Sequence, residues 1–359
     1  MRFTRLCARG FRNLQREPLA FPAPGLVLLG PNGQGKTNLL EALYYPVLFR
    51  SLRGAGDAEL VQFEAPGFEL AVEFEAGGRG HQAVVEYTTK ARRKRIELDG
   101  EEGPRLTHAA GVCLAVTFLP ADVALAAGPA MIRRRYLDRT LALADRRYLV
   151  ALSRYRSAMA QRNAALRQGQ GAVARAFDGV VATRGAQITA ARLAWARSAS
   201  KEFRTELEGM GEAATGGLEY TGPAELADPA AWPEALERSW ARDQARGRTG
   251  LGPHRDDLRL TLGGKPMREF GSTGQQRSAA VALRLLELAT LRREREEDPA
   301  LLLDDIFAEL DPDRRARLSR RLLDGRSQVF LTAPRRDELP AGLDLPIWQV
   351  DHGAVRPEP

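Results

Sequence analysis

Residues 30–37 read Gly-Pro-Asn-Gly-Gln-Gly-Lys-Thr and match G-x-x-x-x-G-K-[ST], the pattern of a phosphate-binding loop. The glycines at 30, 33 and 35 let the backbone curl tightly, so that successive N–H groups point at phosphate oxygens. An apolar run at 26–29 has strand character, and helical spacing follows the loop, which places the phosphates at a helix N-terminus. A plain glycine-rich turn is the alternative interpretation, and the flanking strand and helix favour the nucleotide loop.

Two side chains at the end of this loop have the chemistry of a nucleotide site. Lys36 can reach the β- and γ-phosphates as a catalytic cation, and the Thr37 hydroxyl can bind Mg²⁺. We therefore predict ATP and Mg²⁺ as ligands. The whole loop is predicted to contact the nucleotide: Gly30, Pro31, Asn32, Gly33, Gln34, Gly35, Lys36 and Thr37.

Residues 301–305 read Leu-Leu-Leu-Asp-Asp, an apolar strand that ends in two carboxylates. In a parallel sheet such a strand ends beside the phosphate loop, which is the arrangement of a Walker B segment. Asp304 is predicted to hold Mg²⁺ directly or through water. Asp305 is predicted to be the catalytic carboxylate that orients or deprotonates the attacking water.

The length of 359 residues favours about two domains, or one domain with an insertion. Alternation at 68–98 predicts an antiparallel sheet, two long helices meeting at 169–171 predict an antiparallel hairpin, and Gly/Pro-rich 209–233 predicts a loop. We expect an α/β fold in which a mixed sheet and an antiparallel β lobe are interrupted by an all-helical arm. The predicted domains are a head, 1–120 and 245–359, and an arm, 121–244.

The net charge is +7 and the pI about 9.7. The positive net charge favours a polyanionic binding partner such as DNA. Arginine enrichment that merely reflects a GC-rich genome would produce the same net charge. The most basic segments are 90–95, with five basic residues in six, and 131–167, with ten Arg. A solvated hairpin face is an equal alternative for 90–95, and core packing is the alternative to base stacking for the tyrosines among the arginines. The residues predicted to contact DNA are Lys90, Arg92, Arg93, Lys94, Arg95, Arg133, Arg134 and Arg135.

The chain carries no feature of a membrane or secreted protein. No run approaches 18 apolar residues, and the N-terminus lacks an apolar signal core. Cys7 and Cys113 are the only cysteines, which favours reduced thiols. We therefore predict a cytoplasmic protein with no membrane partner.

Residues 271–276 read Gly-Ser-Thr-Gly-Gln-Gln before a helical stretch, where Ser272 and the Gly274 amide can bind an anion. The segment resembles the ABC-type signature motif, Leu-Ser-Gly-Gly-Gln. In that superfamily the signature covers the γ-phosphate held by the other subunit of a head-to-tail dimer. The resemblance therefore implies that Ser272, Gly274 and Gln275 contact nucleotide in a homodimer, and that Glu309-Leu310-Asp311 is the D-loop at its interface.

Further strings resemble the RecF family of bacterial SMC-like ABC ATPases across essentially the whole chain. They are Phe11-Arg12-Asn13, Phe118-Leu-Pro-Ala-Asp122, Gly128-Pro129, Arg133-Arg-Arg-Tyr-Leu-Asp138, Gly252-Pro-His-Arg-Asp-Asp-Leu258 and Phe270-Gly-Ser-Thr-Gly-Gln-Gln-Arg-Ser278. The resemblance implies an ABC-type ATPase head with a short helical arm and an ATP-dependent homodimer. It also implies binding to single-stranded, double-stranded or gapped DNA, and action with RecR and RecO in loading the recombinase RecA at gaps.

Departures from the motif pattern point to slow, switch-like hydrolysis. Thr332 stands where many ABC ATPases carry a switch His, and Asp305 is shorter than the Glu that transporters use. No Gln-loop glutamine is evident: Gln62 is a candidate by position, and the turn at 118–122 is another source of a metal- or water-contacting group. His254 is either a buried structural residue or part of a segment that senses the partner's nucleotide.

Two other functions are compatible with parts of this motif set. A transporter ATPase subunit shares the ABC motifs, but the basic helical arm and the missing switch His argue against it. A P-loop kinase leaves the signature and D-loop unexplained.

Overall fold

The computed structural model describes residues 1–104, 106–307, 312–323 and 325–358. The predicted D-loop, Glu309–Asp311, lies outside them. Contacts divide the chain into two compact units, one formed by 1–121 with 287–359 and the other by 122–286. This division assigns 245–286 to the helical unit, whereas the domain bounds given above place it in the head, and those bounds stay a prediction.

Fifteen strands lie in the described ranges. They are β1 Arg2–Arg9, β2 Leu19–Ala20, β3 Gly25–Leu29, β4 Gly67–Ala76, β5 Arg79–Thr88, β6 Arg93–Leu98, β7 Glu101–Glu102, β8 Ala115–Phe118, β9 Gly216–Thr221, β10 Asp257–Leu262, β11 Lys265–Pro266, β12 Ala300–Leu303, β13 Val329–Ala333, β14 Ile347–Asp351 and β15 Ala354–Pro357.

The same ranges hold eleven α-helices. They are α1 Lys36–Leu48, α2 Leu106–Ala109, α3 Ala124–Ala127, α4 Ala130–Ala144, α5 Arg146–Arg167, α6 Gly171–Ala176, α7 Asp178–Gly209, α8 Trp232–Arg246, α9 Met267–Phe270, α10 Thr273–Arg295 and α11 Pro312–Leu322.

The first unit is built on a six-stranded mixed sheet in the order β15-β14-β3-β13-β12-β8. Strands β14, β3, β13, β12 and β8 are parallel, and only β15 runs antiparallel to its neighbour. Every residue of β3, β12 and β13 is buried, as expected for strands covered on both faces. Because parallel strands end at the same edge of a sheet, the ends of these three strands meet.

A second sheet of the first unit is antiparallel, in the order β2-β1-β4-β5-β6-β7. Burial alternates along β4, so one face packs in the core while the other meets solvent. Glu75, Glu73 and Glu69 on that outer face form ion pairs with arginines of β1. The predicted α/β fold with a mixed sheet and an antiparallel lobe is confirmed.

The second unit contains the predicted helical hairpin. Arg162 near the end of α5 pairs with Asp178 at the start of α7, and Arg192 of α7 bonds Tyr148 near the start of α5, so the two helices run antiparallel. The short helix α6 lies between them in sequence. Trp232 is fully buried, and its ring lies so close to Gly185 that a Cβ there would come within 2.3 Å of it.

The prediction of a loop over 209–233 was wrong at 216–221, which form β9 in a three-stranded sheet with β10 and β11. The buried Leu218 and Tyr220 alternate with half-buried or exposed residues, but the run starts with two glycines, which hide its strand pattern in the sequence. Gly216 has a structural reason, since a Cβ there would lie 2.4 Å from Leu207. None of the helices in the described part of the chain is long and apolar enough to cross a membrane.

Candidate nucleotide-binding site

The phosphate loop leaves β3 at Gly30 and enters α1 at Lys36, as predicted. Gly30, Gly33 and Gly35 all have positive φ, at 156°, 83° and 115°. Gly35 is also the residue that caps α1, so the amides of the first helical turn point into the loop. A side chain at Gly30 would meet the Val350 carbonyl oxygen at 2.4 Å, which adds a packing reason to the backbone one.

A second layer of contacts holds the loop from outside. Asn13 donates from Nδ2 to the Gln34 carbonyl at 3.1 Å and accepts from Asn38 Nδ2 at 2.7 Å. The turn after β14 contributes the Gly353 amide, which donates to the same Gln34 carbonyl at 2.8 Å, and the His352 amide, which donates to Gln34 Oε1 at 2.7 Å. The 11–13 string therefore has a local role, because it fixes the loop that follows it.

Lys36 is buried and donates to two backbone carbonyls of its own loop, Gly30 at 2.5 Å and Pro31 at 3.0 Å. Burial lowers the pKa of Lys36, and the charges of Asp305 and Asp304 only partly offset that effect. The ammonium group is thus held where its charge is incompletely compensated. An additional anion at this position, such as a phosphate, would relieve the imbalance.

Three parallel strands bring together four side chains at their C-terminal ends. Thr37 Oγ1 lies 2.9 Å from both carboxylate oxygens of Asp304, which follows β12. Thr332, on β13 between β3 and β12, places its hydroxyl 2.9 Å from Asp304 Oδ1 and 3.0 Å from Asp305 Oδ1. The Asp305 amide in turn donates to that hydroxyl at 2.9 Å. Thr332 therefore connects the two carboxylates.

The carboxylates occupy unusual environments. Burial raises the pKa of Asp304, and the hydrogen bonds from Thr332 and Thr37 counteract only part of the rise. Asp305 adopts the left-handed backbone conformation, φ 46°, which is rare for a residue with a side chain. Residues held in such conformations cluster at functional sites.

These residues fit a nucleotide with Mg²⁺. The described residues hold no cluster of three or more His, Cys, Asp or Glu side chains able to bind a metal. A cation at Asp304 would therefore need oxygens from Thr37 and from a bound phosphate, which is how phosphate-loop proteins hold Mg²⁺. The buried Asp304 carboxylate, whose pKa is raised, lacks sufficient positive charge nearby, and the buried Lys36 ammonium, whose pKa is lowered, lacks sufficient negative charge. A metal ion with a phosphate would supply both.

A buried ionic cluster behind α1 was missed by the sequence reasoning. Glu41 is fully buried and accepts from Arg12 Nε at 3.0 Å, Arg53 NH2 at 2.5 Å and Ser51 Oγ at 2.5 Å. Burial alone would raise the pKa of Glu41, but the hydrogen bonds from Arg53, Ser51 and Arg12 outweigh it, so the pKa is lowered. A Glu in an otherwise apolar helical stretch was the available sequence signal.

The signature segment, in the second unit, forms the start of α10. Ser272 Oγ accepts from the Gln275 amide at 3.3 Å, and Gln275 Oε1 accepts from the Ser272 amide at 2.9 Å. This is a reciprocal capping box, which satisfies two otherwise unpaired backbone donors. Ser272 is exposed, and Gly274 and Gln275 are half-exposed.

The basic segments differ from each other. Lys90, Arg92 and Arg93 are exposed and have no ion pair among the described residues. Lys94 instead pairs with Asp57 at 3.0 Å, and Arg95 pairs with Glu102 at 3.0 Å.

In the helical unit the prediction of DNA contact is corrected for Arg133. Arg133 is buried and makes a bidentate ion pair with Asp257, with both N–O distances 2.8 Å. Its guanidinium is therefore not available to contact a DNA strand. Arg134 is half-buried and Arg135 is exposed. The tyrosines at 136, 148 and 155 are all buried, which favours core packing over base stacking.

The other candidates have structural partners. His254 Nε2 donates to the Thr249 carbonyl at 3.1 Å, and His254 Nδ1 lies 2.8 Å from the Tyr155 hydroxyl, from which it accepts in the neutral form. Burial lowers the pKa of His254, consistent with this neutral form. Asp122 of the 118–122 turn is bound by Arg284. Gln62 is exposed, and its backbone N–H donates to the Gly10 carbonyl at 2.7 Å.

Comparison with known proteins gives a consistent result. Residues 2–343 match the family model of the RecF/RecN/SMC N-terminal domain. The DNA replication and repair protein RecF of Geobacter sulfurreducens is 33% identical over 368 residues, which cover 99% of this chain and 100% of that protein. RecF of Anaeromyxobacter dehalogenans is 37% identical over 373 residues, which cover 99% of both chains.

Solved structures agree. The recombination mediator protein RecF with ATP, from the RecFOR pathway, superposes with a TM-score of 0.89 at 27% identity, over 100% of this chain and 98% of that one. An Smc head bound to the C-terminal winged-helix domain of ScpA superposes with a TM-score of 0.59 at 15% identity, over 100% and 97% of the two chains. The second likeness extends to the fold alone.

Proposed function

The chain belongs to the RecF family, and on that premise we propose that it is an ATP-dependent, DNA-binding switch in recombinational DNA repair. In this proposal ATP binding favours a homodimer that holds DNA, and slow hydrolysis returns it to monomers. The transporter alternative receives no support from the comparisons.

The observation that carries the proposal is the cluster of Thr37, Asp304, Thr332 and Asp305 beside Lys36. It unites a phosphate loop with a Walker B strand end, and its two buried charges are incompletely compensated. A site with this electrostatic imbalance is suited to a ligand that brings both negative oxygens and a divalent cation. ATP with Mg²⁺ is that ligand, and the solved RecF structure bound to ATP supports the assignment.

The roles of the residues follow from their positions. The loop amides at 30–35 would hold the phosphates, and Lys36 would neutralise the β- and γ-oxygens. Thr37 and Asp304 would hold Mg²⁺, which would supply positive charge to offset the negative charge of the phosphate oxygens. Asp305 would orient or deprotonate the attacking water. Its short side chain, with Thr332 in place of a His, supports slow turnover that serves as a switch.

The other half of the site would come from a second copy of the chain. Ser272, Gly274 and Gln275 lie exposed or half-exposed at a helix N-terminus, which can receive a γ-phosphate. A nucleotide held between two copies stabilises only the dimer, so ATP would shift the monomer–dimer equilibrium by mass action.

DNA is the proposed polyanion, and the exposed Lys90, Arg92 and Arg93 are the strongest candidates for phosphate contacts in the first unit. The related mediator belongs to the RecFOR pathway, so we further propose RecR as a partner, with RecO and RecA acting in the same pathway. Gapped DNA is the proposed substrate.

Sedimentation of the Asp305→Asn variant tests the switch. This variant should bind ATP without turning it over, so it should sediment as a dimer with ATP and Mg²⁺ and as a monomer without them. Gapped DNA should then co-sediment preferentially with the dimer. A variant that binds ATP yet stays monomeric at micromolar concentrations would refute the ATP-dependent dimer.

A charge-matched pair of double variants tests the DNA contacts. Arg92→Gln with Arg93→Gln should weaken DNA binding and lower the slope of log affinity against log salt by roughly 1.5, because two phosphate contacts are lost. The control is Arg16→Gln with Arg79→Gln, which removes two exposed arginines of the same unit that have no ion pair within the described ranges. Equal affinity and slope for the two double variants would remove the 90–95 segment from the DNA site.

A further inference from the structure

A cavity of about 310 Å³ lies within the helical unit, among α4, α5, α7 and the segment that begins at Gly252. Its volume is at the lower end of the range of small-ligand sites. The polar side chains that line it are Arg134, Arg135, Asp138, Tyr155, Arg156, Arg192 and His254. Two strings that the sequence analysis singled out, 133–138 and 252–258, therefore meet at one cavity for which the proposed switch has no use.

The lining carries a surplus of positive charge, four guanidinium groups against one carboxylate. That carboxylate, Asp138, is fully engaged, since it accepts from Tyr148 at 2.7 Å, Arg156 at 2.7 Å and Arg192 at 2.6 Å. His254 adds no countercharge, since an imidazole is neutral or positive, and its burial, which lowers the pKa, favours the neutral form.

Nearby carboxylates offset only part of the surplus. Asp257 is taken up by its bidentate pair with Arg133. Asp256, which accepts from the Tyr220 hydroxyl, attracts Arg192 and Arg134, but it adds only one negative charge against the four guanidinium groups. The cavity thus needs negative charge that the described part of the chain does not supply.

Two of the arginines keep donors available. Arg134 donates from NH1 to the Asp256 carbonyl at 2.7 Å, and its remaining nitrogens have no partner in the described residues. Burial lowers the pKa of Arg134, a sign that its charge is poorly compensated. Arg135 is exposed at the cavity and has no described partner at all. Two guanidinium groups with free N–H donors that line the same cavity can both donate to an oxyanion bound there.

The rest of the wall is fixed and partly apolar. Arg192 is only 2% exposed and is held by Tyr148, the Pro253 carbonyl and Asp138. Gly252 has φ 121°, and a Cβ there would come within 2.5 Å of the Tyr155 hydroxyl. The backbone therefore approaches Tyr155 closely enough to place Pro253 and His254 on the cavity wall. Met131, Leu152 and Ile188 supply apolar surface beside the arginines.

We propose that this cavity binds a phosphate ester of a nucleotide, with the phosphate on Arg134 and Arg135 and the nucleoside on the apolar wall. A phosphate monoester suits the site better than a carboxylate, because it carries up to two negative charges and three acceptor oxygens for two neighbouring guanidinium groups. The ester could come from a free nucleotide or from the terminal phosphate of a DNA strand. The site lies in the helical unit and is separate from the phosphate loop of the first unit.

The test uses the full chain and three variants at exposed positions, so folding should be preserved. Arg135→Gln removes a donor, and Met131→Glu places a negative charge at the cavity. The control is Arg204→Gln, an exposed arginine without a described partner, about 18 Å along α7 from Arg192. The phosphate loop is unchanged in all three variants, so any binding of the probes to that loop contributes equally to each measurement and does not affect the comparison. The probes are inorganic phosphate, thymidine 5′-monophosphate, and an oligonucleotide with a terminal phosphate or a terminal hydroxyl, measured by calorimetry.

We expect Arg135→Gln and Met131→Glu to weaken binding of thymidine monophosphate or of the phosphorylated oligonucleotide at least about tenfold relative to wild type and Arg204→Gln. If only the phosphorylated oligonucleotide responds, the ligand is a DNA terminus; if the mononucleotide responds as well, free nucleotides bind. Equal affinities for all variants, or equal effects on oligonucleotides with and without the phosphate, would overturn the proposal.

Discussion

The phosphate loop and the signature segment are both helix N-termini predicted to bind phosphate, yet their surroundings differ. Lys36 and Asp304 are buried, and each carries a charge that its neighbours only partly compensate. Ser272 and Gln275 are solvent-accessible and satisfy each other through a capping box. The start of α1 therefore lies beside buried charges that its own chain does not fully compensate, whereas the capping groups at the start of α10 are paired with each other.

This difference distinguishes the phosphate loop, which should bind ATP by itself, from the signature segment, which should contact a phosphate only after another chain has bound it. Uncompensated buried charge gives a ligand a large free-energy gain, so the phosphate loop should bind ATP in a single chain. A satisfied, exposed cap gains only when a phosphate is presented to it already bound elsewhere. The division of labour predicts that changes at the two helix starts have separable effects.

The largest effect is expected from Lys36→Ala. Loss of a buried, charge-assisted contact with the β- and γ-phosphates should weaken ATP binding about 100-fold or more. Binding of a fluorescent ATP analogue to the monomer would measure it. The matched control is Lys90→Ala, which removes an exposed lysine of the same unit and should leave the affinity unchanged. Equal affinities for the two variants would mean that the loop does not bind ATP through Lys36.

The second prediction concerns the signature. Ser272→Asp keeps a good helix cap but places a negative charge where the partner's γ-phosphate would lie. We expect the affinity of the monomer for ATP to stay within about twofold, and the ATP-dependent dimer to weaken about tenfold or more, because like charges repel across an interface. Ser272→Asn has nearly the same shape without the charge and serves as the control. Both properties can be followed by sedimentation at several protein concentrations, and equally stable dimers from the Asp and Asn variants would remove the signature from the interface.

Much of the fold was predictable because its signals are local. The alternation at 68–75 identifies a strand by its period of two, and the apolar runs at 301–303 and 329–331 do so by being short and continuous; the structure has β4, β12 and β13 there. The exception, β9, begins with two glycines, of which Gly216 lets Leu207 approach and Gly217 lets Thr261 approach. Such tertiary contacts leave no periodic pattern in the sequence. Strand order was accessible only where a motif supplied it.

The site was predictable in its parts but not in its connections. The sequence identifies Lys36, Thr37, Asp304 and Asp305, but it gives Thr332 only as a departure from a His. Its role as the hydroxyl between both carboxylates depends on β13 lying between β3 and β12. Charge runs were the least reliable guide, because whether an arginine such as Arg133 faces solvent or a buried Asp depends on partners more than a hundred residues away.

The third prediction is a change at that connecting residue. Thr332→Val keeps the shape of the side chain but removes the hydroxyl from both carboxylates and from the Asp305 amide. We expect ATP turnover to fall about tenfold, ATP affinity to change less than threefold, and the free energy of unfolding to drop by about 1–2 kcal/mol. Thr117→Val is the control, since Thr117 is buried in the same sheet and its hydroxyl has no hydrogen-bond partner among the described residues. Turnover equal to that of the control would show that Thr332 does not position Asp305.

The smallest predicted effect is also the most specific to the phosphate-loop half. Asp304 has a raised pKa in the folded state, so its contribution to stability is fully present below the ordinary value of 3.8 and is lost as pH rises through the folded pKa. At neutral pH the ionised, buried carboxylate is therefore unfavourable. Asp304→Asn removes the charge and keeps an oxygen that can accept from Thr37 and Thr332.

Without nucleotide and Mg²⁺, Asp304→Asn should be more stable than wild type at pH 7 by about 1 kcal/mol, and the gap should close as the pH falls towards 4. With ATP and Mg²⁺ the order should reverse, because only the wild-type carboxylate can hold the cation. Chemical denaturation across pH, with exposed Asp344→Asn as the control, measures both effects. A variant less stable than wild type at pH 7 without ligand would show that the carboxylate is already compensated. The proposed difference between the start of α1, beside uncompensated buried charge, and the self-capped start of α10 would then lose the Asp304 carboxylate as its support.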